Sequence, residues 1–327
     1  MLNKLKLHQN KELLQDAVLS ASQRFNIPEI YVEKDYWVTL VLYEIFHSDI
    51  ADQIVFKGGT SLSKCHKLIQ RFSEDIDLVV FRNKGENDNQ LKTKLRSISK
   101  VVENVLPEIQ VAGLTNKKGN IRKTVHRYNR LFEGSFGQAR EQIILEATWL
   151  GNYEPFTNEE ISSYVFEVMN LTGQEALIRE YGLQPFKAQA LSIERTFCEK
   201  IMSLVRFSQT GDPYTNLSNK IRHVYDIHLM LSNGSIKSFF ESAEFYKMLV
   251  KVGKDDFISY KNNNAWLKEH PCSALIFKDP EVTWNHIKST YRTIFKELVI
   301  GKLPNENDLI DTLKKIEKRM HSLAWKI

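Results

Sequence analysis

The order of elements predicts an α+β (α/β) chain, with a small mixed β-sheet flanked by helices and a mostly helical C-terminal region. Three observations predict it. Short Val- and Ile-rich runs are followed at once by glycine or polar turns and then by helical patterns. Residues 108–150 read as several short strands joined by turns. From about Gln184 the texture changes to successive helices punctuated by Pro271, Pro280 and Pro304.

Taken in order, residues 3–25 and 29–47 both show helical periodicity, with Pro28 at the break and "VEKDYWVTLVLYEIF" apolar enough to be mostly buried. Ile54–Phe56 is a short apolar strand, and a helix over Thr60–Ile69 follows the glycine turn. Asp75–Phe81 is a second strand. "GENDNQ" is a polar turn before the helix "NQLKTKLRSISKVVENVL", whose apolar residues recur at three-to-four spacing. "EQIILEATWL" closes the strand-rich part, and "PFKAQAL" adds one more strand. "SIERTFCEKIMSLVRFSQ" is a helix with Ser192 as its cap, and "NLSNKIRHVYDIHLMLS" is another. The expected division is a core with N-terminal helices over 1–190 and a helical domain over 191–327. No repeat or low-complexity segment is present.

The chain has 327 residues, 42% hydrophobic and 26% charged, the mixture of an ordinary globular protein. Its longest nearly apolar stretch, "YWVTLVLYEIF", is about half of a bilayer span. The N-terminal charges are scattered along an amphipathic pattern, without an apolar core and cleavage site, so a cytoplasmic location is expected. Cys65, Cys198 and Cys272 are odd in number and lack metal-type spacing, which suits a reducing compartment.

Net charge is +5, but Lys117, Lys118, Arg122, Lys123, Arg127 and Arg130 fall within "NKKGNIRKTVHRYNR"; without those six cations the remainder stands at −1. A local basic stripe is how proteins meet nucleic-acid phosphates. His126 and Tyr128 interleave with it and could stack on bases. The plainer reading is a solvated hairpin.

Chemistry concentrates in "IVFKGGTSLSKCHKLIQRFSEDIDLVVF", Ile54 to Phe81. Gly58 and Gly59 permit a sharp turn and close approach of main-chain N–H groups to a ligand. Thr60 and Ser61 add hydroxyls, and the next helix presents its positive end, so the turn reads as a phosphate cradle. It is not a P-loop, because the glycine spacing differs and Lys64 lies inside the helix. Alone, such a turn is as well explained by strand-to-helix geometry. Asp75 and Asp77 are more telling: in a strand they share a face, about 7 Å apart. Two carboxylates beside Val-Val-Phe call for a cation, and hard divalent ions take such oxygens together with substrate phosphates. Glu146, an isolated acid in "QIILEATW", is the candidate third carboxylate; the plainer reading is a strand end facing solvent.

A Gly-Gly-Thr turn, a short helix and Asp-x-Asp resemble the first motif of the DNA polymerase β-like nucleotidyltransferases. The fuller string is similar to the AbiEii/AbiGii (MenT-like) toxin family. "VEKDYWVTLVL" resembles that family's N-terminal helix, "SIERTFCEKIMSL" its helix with a functional lysine, here Lys200, and "RHVYDIHLM" its later motif, whose aspartate falls on Asp226. The likeness runs from about residue 30 to 230; Cys198 departs from it where a bulky apolar residue is common. The resemblance implies a nucleotidyltransferase fold and NMP transfer from an NTP, with Mg²⁺ (or Mn²⁺) on Asp75 and Asp77; it does not mark the third acid, for which Glu146 stays the candidate read from the residues. It implies an RNA acceptor, the tRNA 3′ end above all, and a cognate antitoxin of the type IV, AbiEi-like kind, with growth arrest or phage defence as outcome. Lys200 would steady the triphosphate, and Asp226 would position Lys200 or act as base, although a plain i,i+4 pair with Arg222 is as common. Lys64, Ser73 and Arg195 join the nucleotide-binding set; Arg71 either touches phosphate or braces its loop, and Arg206 flanks Lys200. Two rival expectations are a same-fold enzyme acting on a small molecule or protein, and a nucleotide- or RNA-binding regulator without chemistry.

Overall fold

Side-chain caps set the first helix. Asn10 accepts a hydrogen bond from the Leu13 N–H (3.1 Å), starting α1 (Lys11–Phe25), and Asn26 ends it in the left-handed conformation at φ 53°. Pro28 then separates α1 from α2 (Glu29–Phe46), whose burial on nearly every side explains its continuous apolar sequence. The computed structural model describes residues 4–137, 139–260 and 263–327, so residue 3 of the expected first helix lies outside it.

The chain divides into two units. The first takes the chain up to His66, Phe72–Trp149 and Phe156–Ala190; the second takes Lys67–Arg71, Leu150–Pro155 and Leu191–Ile327.

The first unit is built on β1 (Ile54–Lys57), β2 (Ile76–Val80), β3 (Glu108–Ile109), β4 (Ile121–His126), β5 (Ile143–Thr148), β6 (Phe156–Ile161) and β7 (Phe186–Leu191). They form one seven-stranded sheet in the order β3-β4-β5-β2-β1-β7-β6. It is mixed: β1 runs antiparallel to β2 and parallel to β7, β2 is parallel to β5, and β5 is antiparallel to β4. The central strands are apolar because they are covered, with Ile54, Val55, Phe56, Ile76, Leu78 and Leu145 all buried. Between β1 and β2 lies α3 (Gly58–Lys64), which stops well before Ile69. Between β2 and β3 lies α4 (Asp88–Glu103), started by a reciprocal capping box of Asn87 and Gln90. Its buried Leu91, Leu95, Ile98 and Val102 sit at helical spacing and pack towards β2, β4 and β5. Burying each such side chain contributes about 1.5–3 kcal/mol. The unit is completed by α5 (Tyr164–Leu171), which packs on α1, and α6 (Glu175–Glu180).

Among the described residues the second unit is mostly helical. Ser192 caps α7 (Ile193–Phe207) by accepting from the Arg195 N–H (3.2 Å). The single helix expected over "NLSNKIRHVYDIHLMLS" is two, α8 (Pro213–Ser218) and α9 (Ile221–Ser232), broken at Asn219-Lys220. α10 (Gly234–Glu241), α11 (Ala243–Ser259), α12 (Leu275–Lys278), α13 (Pro280–Thr290) and α14 (Glu306–Met320) follow. Phe197, Phe240 and Phe245 form their aromatic centre, the last two 5.0 Å apart. Pro280 stands in the first turn of α13 with Asp279 as cap, the position where proline costs a helix nothing. Among the described residues no helix is long and apolar enough to cross a membrane.

Candidate active site

Strand register assembles a row of four charges across the sheet. Lys57 of β1 lies opposite Asp77 of β2, Asp77 lies beside Glu146 of β5, and Glu146 lies opposite Lys123 of β4. Directly paired residues share a sheet face, so the row reads cation, acid, acid, cation. Lys123 Nζ donates to Glu146 Oε2 at 3.0 Å. Asp75, the expected first residue of the strand, instead lies just before β2, which begins one residue later at Ile76, and stands two residues from Asp77. Burial pushes the Asp77 carboxyl up to about 7, Glu146 and Asp75 push the same way, and Lys57 and Lys123 oppose them. Asp77 is thus a buried carboxylate with Glu146 beside it in register and Asp75 near enough to repel it, oxygen donors of the kind a hard divalent cation takes.

Gly58 makes this arrangement possible. Its φ is +80°, and a Cβ built on it would stand 2.2 Å from Asp77 Oδ2, 3.1 Å from Cγ and 3.3 Å from Asp77 Cβ. The glycine bend and the acid therefore touch, with no room for a methyl group between them. The N-cap of α3 is Lys57, whose side chain makes no cap hydrogen bond to the first turn beside Asp77. Gly58→Ala is expected to cost about 1–3 kcal/mol from left-handed strain alone and to displace Asp77. A fall of several degrees in Tm should accompany loss of any metal-dependent activity, read by thermal denaturation and turnover; an unchanged Tm would mean that the bend is not strained.

The remaining residues of the expected cradle are less open. Thr60 and Ser61 are buried, and the Thr60 and Ser73 hydroxyls share a hydrogen bond of 3.0 Å. Lys64, expected at the nucleotide, is instead an internal anchor: its ammonium is buried and donates to Asp35 Oδ1 at 2.5 Å. Asp35 Oδ2 also accepts from the Tyr164 N–H (3.0 Å), so one α2 acid ties down α3 and α5 together. The neighbouring α2 residues do the same for the segment between β4 and β5. Glu33 accepts from the Leu131 and Phe132 N–H groups at 2.7 and 3.2 Å, Lys34 donates to the Arg140 carbonyl, and Tyr31 donates to the Phe136 carbonyl. The string Glu33-Lys34-Asp35 is thus explained by fastening.

In the second unit Asp226 is wholly buried between two cations. Arg71 grips it in a fork, Nε to Oδ1 at 2.7 Å and Nη2 to Oδ2 at 2.8 Å, and Lys200 Nζ donates to Oδ2 at 2.7 Å. Arg71 and Lys200 are 3% and 5% exposed. Burial alone would raise the Asp226 carboxyl, but Arg71 and Lys200 hold it well below the ordinary carboxylate range. Arg71 is thus a brace, fixed further by its bridge to Val299 and by the Ile300 N–H donating to the Gln70 carbonyl (2.8 Å). His223 Nδ1 lies 3.5 Å from Lys200 Nζ, and burial followed by the nearby lysines keeps its ring neutral, so it accepts from the ammonium.

Arg195, expected beside the nucleotide, is 1% exposed and donates to Glu199, the Glu154 carbonyl and Asp255 at 3.0, 3.1 and 2.8 Å; it ties α7 to α11. Arg206 lies over the Phe207 and Tyr260 rings. The basic stripe is also partly engaged. Lys117 pairs with Glu108, Arg122 donates to Ser99, Arg130 lies 3.8 Å from Glu141, and Lys123 belongs to the charge row. His126 and Tyr128 are core residues instead of stacking platforms: His126 bonds Thr124 and the Leu106 carbonyl, and Tyr128 packs on Trp37. Lys118 and Arg127 are exposed. Lys57 had no sequence signal beyond its place before Gly58, since only register puts it opposite Asp77.

No curated protein matches the chain. The family described as nucleotidyl transferase AbiEii toxin, type IV TA system, matches residues 40–307, a span that holds the glycine bend, the whole charge row and the Arg71–Asp226–Lys200 cluster. With most of its length matched, the chain belongs to the AbiEii family of nucleotidyltransferase toxins.

Proposed function

We propose that the protein transfers an NMP from an NTP to a hydroxyl of RNA, the tRNA 3′ end being the favoured acceptor, under the restraint of a cognate AbiEi-like antitoxin. The observation that carries this reading is Asp77 lodged against Gly58 inside the acid row. Asp75, Asp77 and Glu146 would hold Mg²⁺ or Mn²⁺, which supplies charge neutralisation at the phosphates and a lowered barrier to hydroxyl attack when bound. The main-chain N–H groups of Gly58 to Ser61 offer donors to the triphosphate. Lys123 and Lys57 flank the acids and favour the charged form of Asp77 against its burial. Lys200 is the compact cation for the triphosphate; Asp226 and His223 hold its ammonium at 2.7 and 3.5 Å, a setting that favours a positioning role for Asp226 over that of a base. Family membership supports the nucleotide and antitoxin partners.

The test incubates the full chain with each labelled NTP, Mg²⁺ and total RNA, alongside Asp75→Ala. Label on RNA with the unaltered chain alone supports the proposal and gives the base preference. Label in protein or small molecules instead would favour the same-fold rival, and no label anywhere would favour a binding regulator. Exposed Lys118 and Arg127 are the cations of the stripe most available to RNA. Lys118→Glu with Arg127→Glu is expected to weaken RNA use severalfold and to flatten its salt dependence by up to about two phosphate contacts. An unaltered KM for RNA would remove the stripe from the acceptor site.

A further inference from the structure

A second set of metal-type donors lies in the helical unit, among residues unrelated to the acid row. Glu317 and His321 stand one turn apart at the C-terminal end of α14, with Glu317 Oε1 3.4 Å from His321 Nδ1. Cys272, in the turn Pro271–Ser273, reaches the same place, its thiol donating to the Glu317 carbonyl at 3.4 Å. The thiol sulfur, a carboxylate oxygen and an imidazole nitrogen all lie within 4.8 Å of one another. Side chains four apart on a helix share a face, and a helix C-terminus favours positive charge.

From these residues we infer a zinc-class transition-metal site: Cys272, Glu317 and His321 ligate one divalent ion that staples the Pro271–Ser273 turn to α14. Sulfur, nitrogen and oxygen at about 2.0–2.3 Å from a tetrahedral ion would be roughly 3.3–3.8 Å apart, so the donors need to converge by about 1 Å. Side-chain rotation supplies this, since the His321 side chain is 80% exposed and that of Glu317 is 32% exposed. The backbone bearing Cys272 is already set. His270 Nδ1 accepts from the Cys272 N–H (3.2 Å), while the opposite ring nitrogen donates to the Leu323 carbonyl (3.1 Å), pinning the turn to the segment after α14. On ligation the thiol proton leaves to solvent, the bond to the Glu317 carbonyl is given up, and the sulfur binds the metal as thiolate. Thiolate with imidazole selects zinc or cobalt over magnesium, which prefers all-oxygen ligands, and solvent completes the fourth position.

Cobalt titration of the reduced, chelator-treated full chain tests this. A thiolate charge-transfer band and tetrahedral visible bands should grow in and saturate with one Co²⁺ per chain at this site, apart from any ion on the acid row, and Zn²⁺ should bleach both. Cys272→Ser should abolish the charge-transfer band. His321→Ala, a change at the surface that leaves folding intact, should weaken zinc binding at least tenfold and cancel a zinc-induced rise in Tm. Asp75→Ala should leave all of this unchanged, so the result is independent of the nucleotidyl-transfer reading. Absence of the band, its survival in Cys272→Ser, or an affinity indifferent to His321→Ala would overturn the site.

Discussion

Asp226→Ala is expected to destabilise the helical unit by about 3–5 kcal/mol, the cost of leaving buried charge without its counterpart. Two cations make the case severe: Arg71 and Lys200 are both buried and both aimed at this one carboxylate. Urea unfolding followed by tryptophan fluorescence should show the lowered midpoint. Replacing all three together, Arg71→Met, Lys200→Met and Asp226→Leu, should recover most of the stability, because no charge is then stranded. Activity should stay absent in both variants. The sign with pH follows from the lowered carboxyl: its stabilisation is present above the ordinary carboxylate range and is lost as pH falls below it, so wild type and Asp226→Ala should converge in strong acid. A single alanine variant as stable as wild type would show that the cluster contributes nothing.

Asp77→Asn is expected to lower nucleotidyl transfer by at least about 10³-fold, the scale of losing a charge placed where the transition state needs it. It should also stabilise the metal-free protein. The folded carboxyl is raised to about 7 from an ordinary value near 3.8, so its favourable contribution is complete below about pH 4 and is lost as pH rises through 7. Above pH 7 the amide escapes that loss, by up to about 4 kcal/mol for a shift of this size. Thermal melts at pH 5 and pH 8, with and without Mg²⁺, separate the effects. The variant should gain most over wild type at pH 8 without metal, gain less than half as much at pH 5, and gain little when Mg²⁺ steadies wild type alone. Wild-type activity retained in Asp77→Asn would end the metal reading.

The comparison of sequence and structure divides along a physical line. Local signals transferred well: Ser192 caps its helix, the α4 pattern finds its core, and Gly58 occupies a left-handed turn. Asp77 and Glu146, acids amid Val and Ile that need a reason to be there, do meet as neighbours on the sheet. What could not be read is everything set by distant partners. Lys64 and Arg71 look like phosphate ligands until Asp35, 29 residues away, and Asp226, 155 residues away, are brought to them. Arg195 looks like a companion of Lys200 until Asp255 claims it. Lys57 and Lys123 enter the acid row only through the order of four strands, which no single segment encodes. His126 and Tyr128 alternate with cations like a stacking surface, yet that alternation buries them. The break between α8 and α9 has neither proline nor glycine to announce it.

The lysines at either end of the charge row have one more consequence. An acidic nest without such bookends would swell or collapse whenever its mineral partner was scarce. Here resident ammonium groups take up part of that burden, so folding draws on charges the chain itself carries.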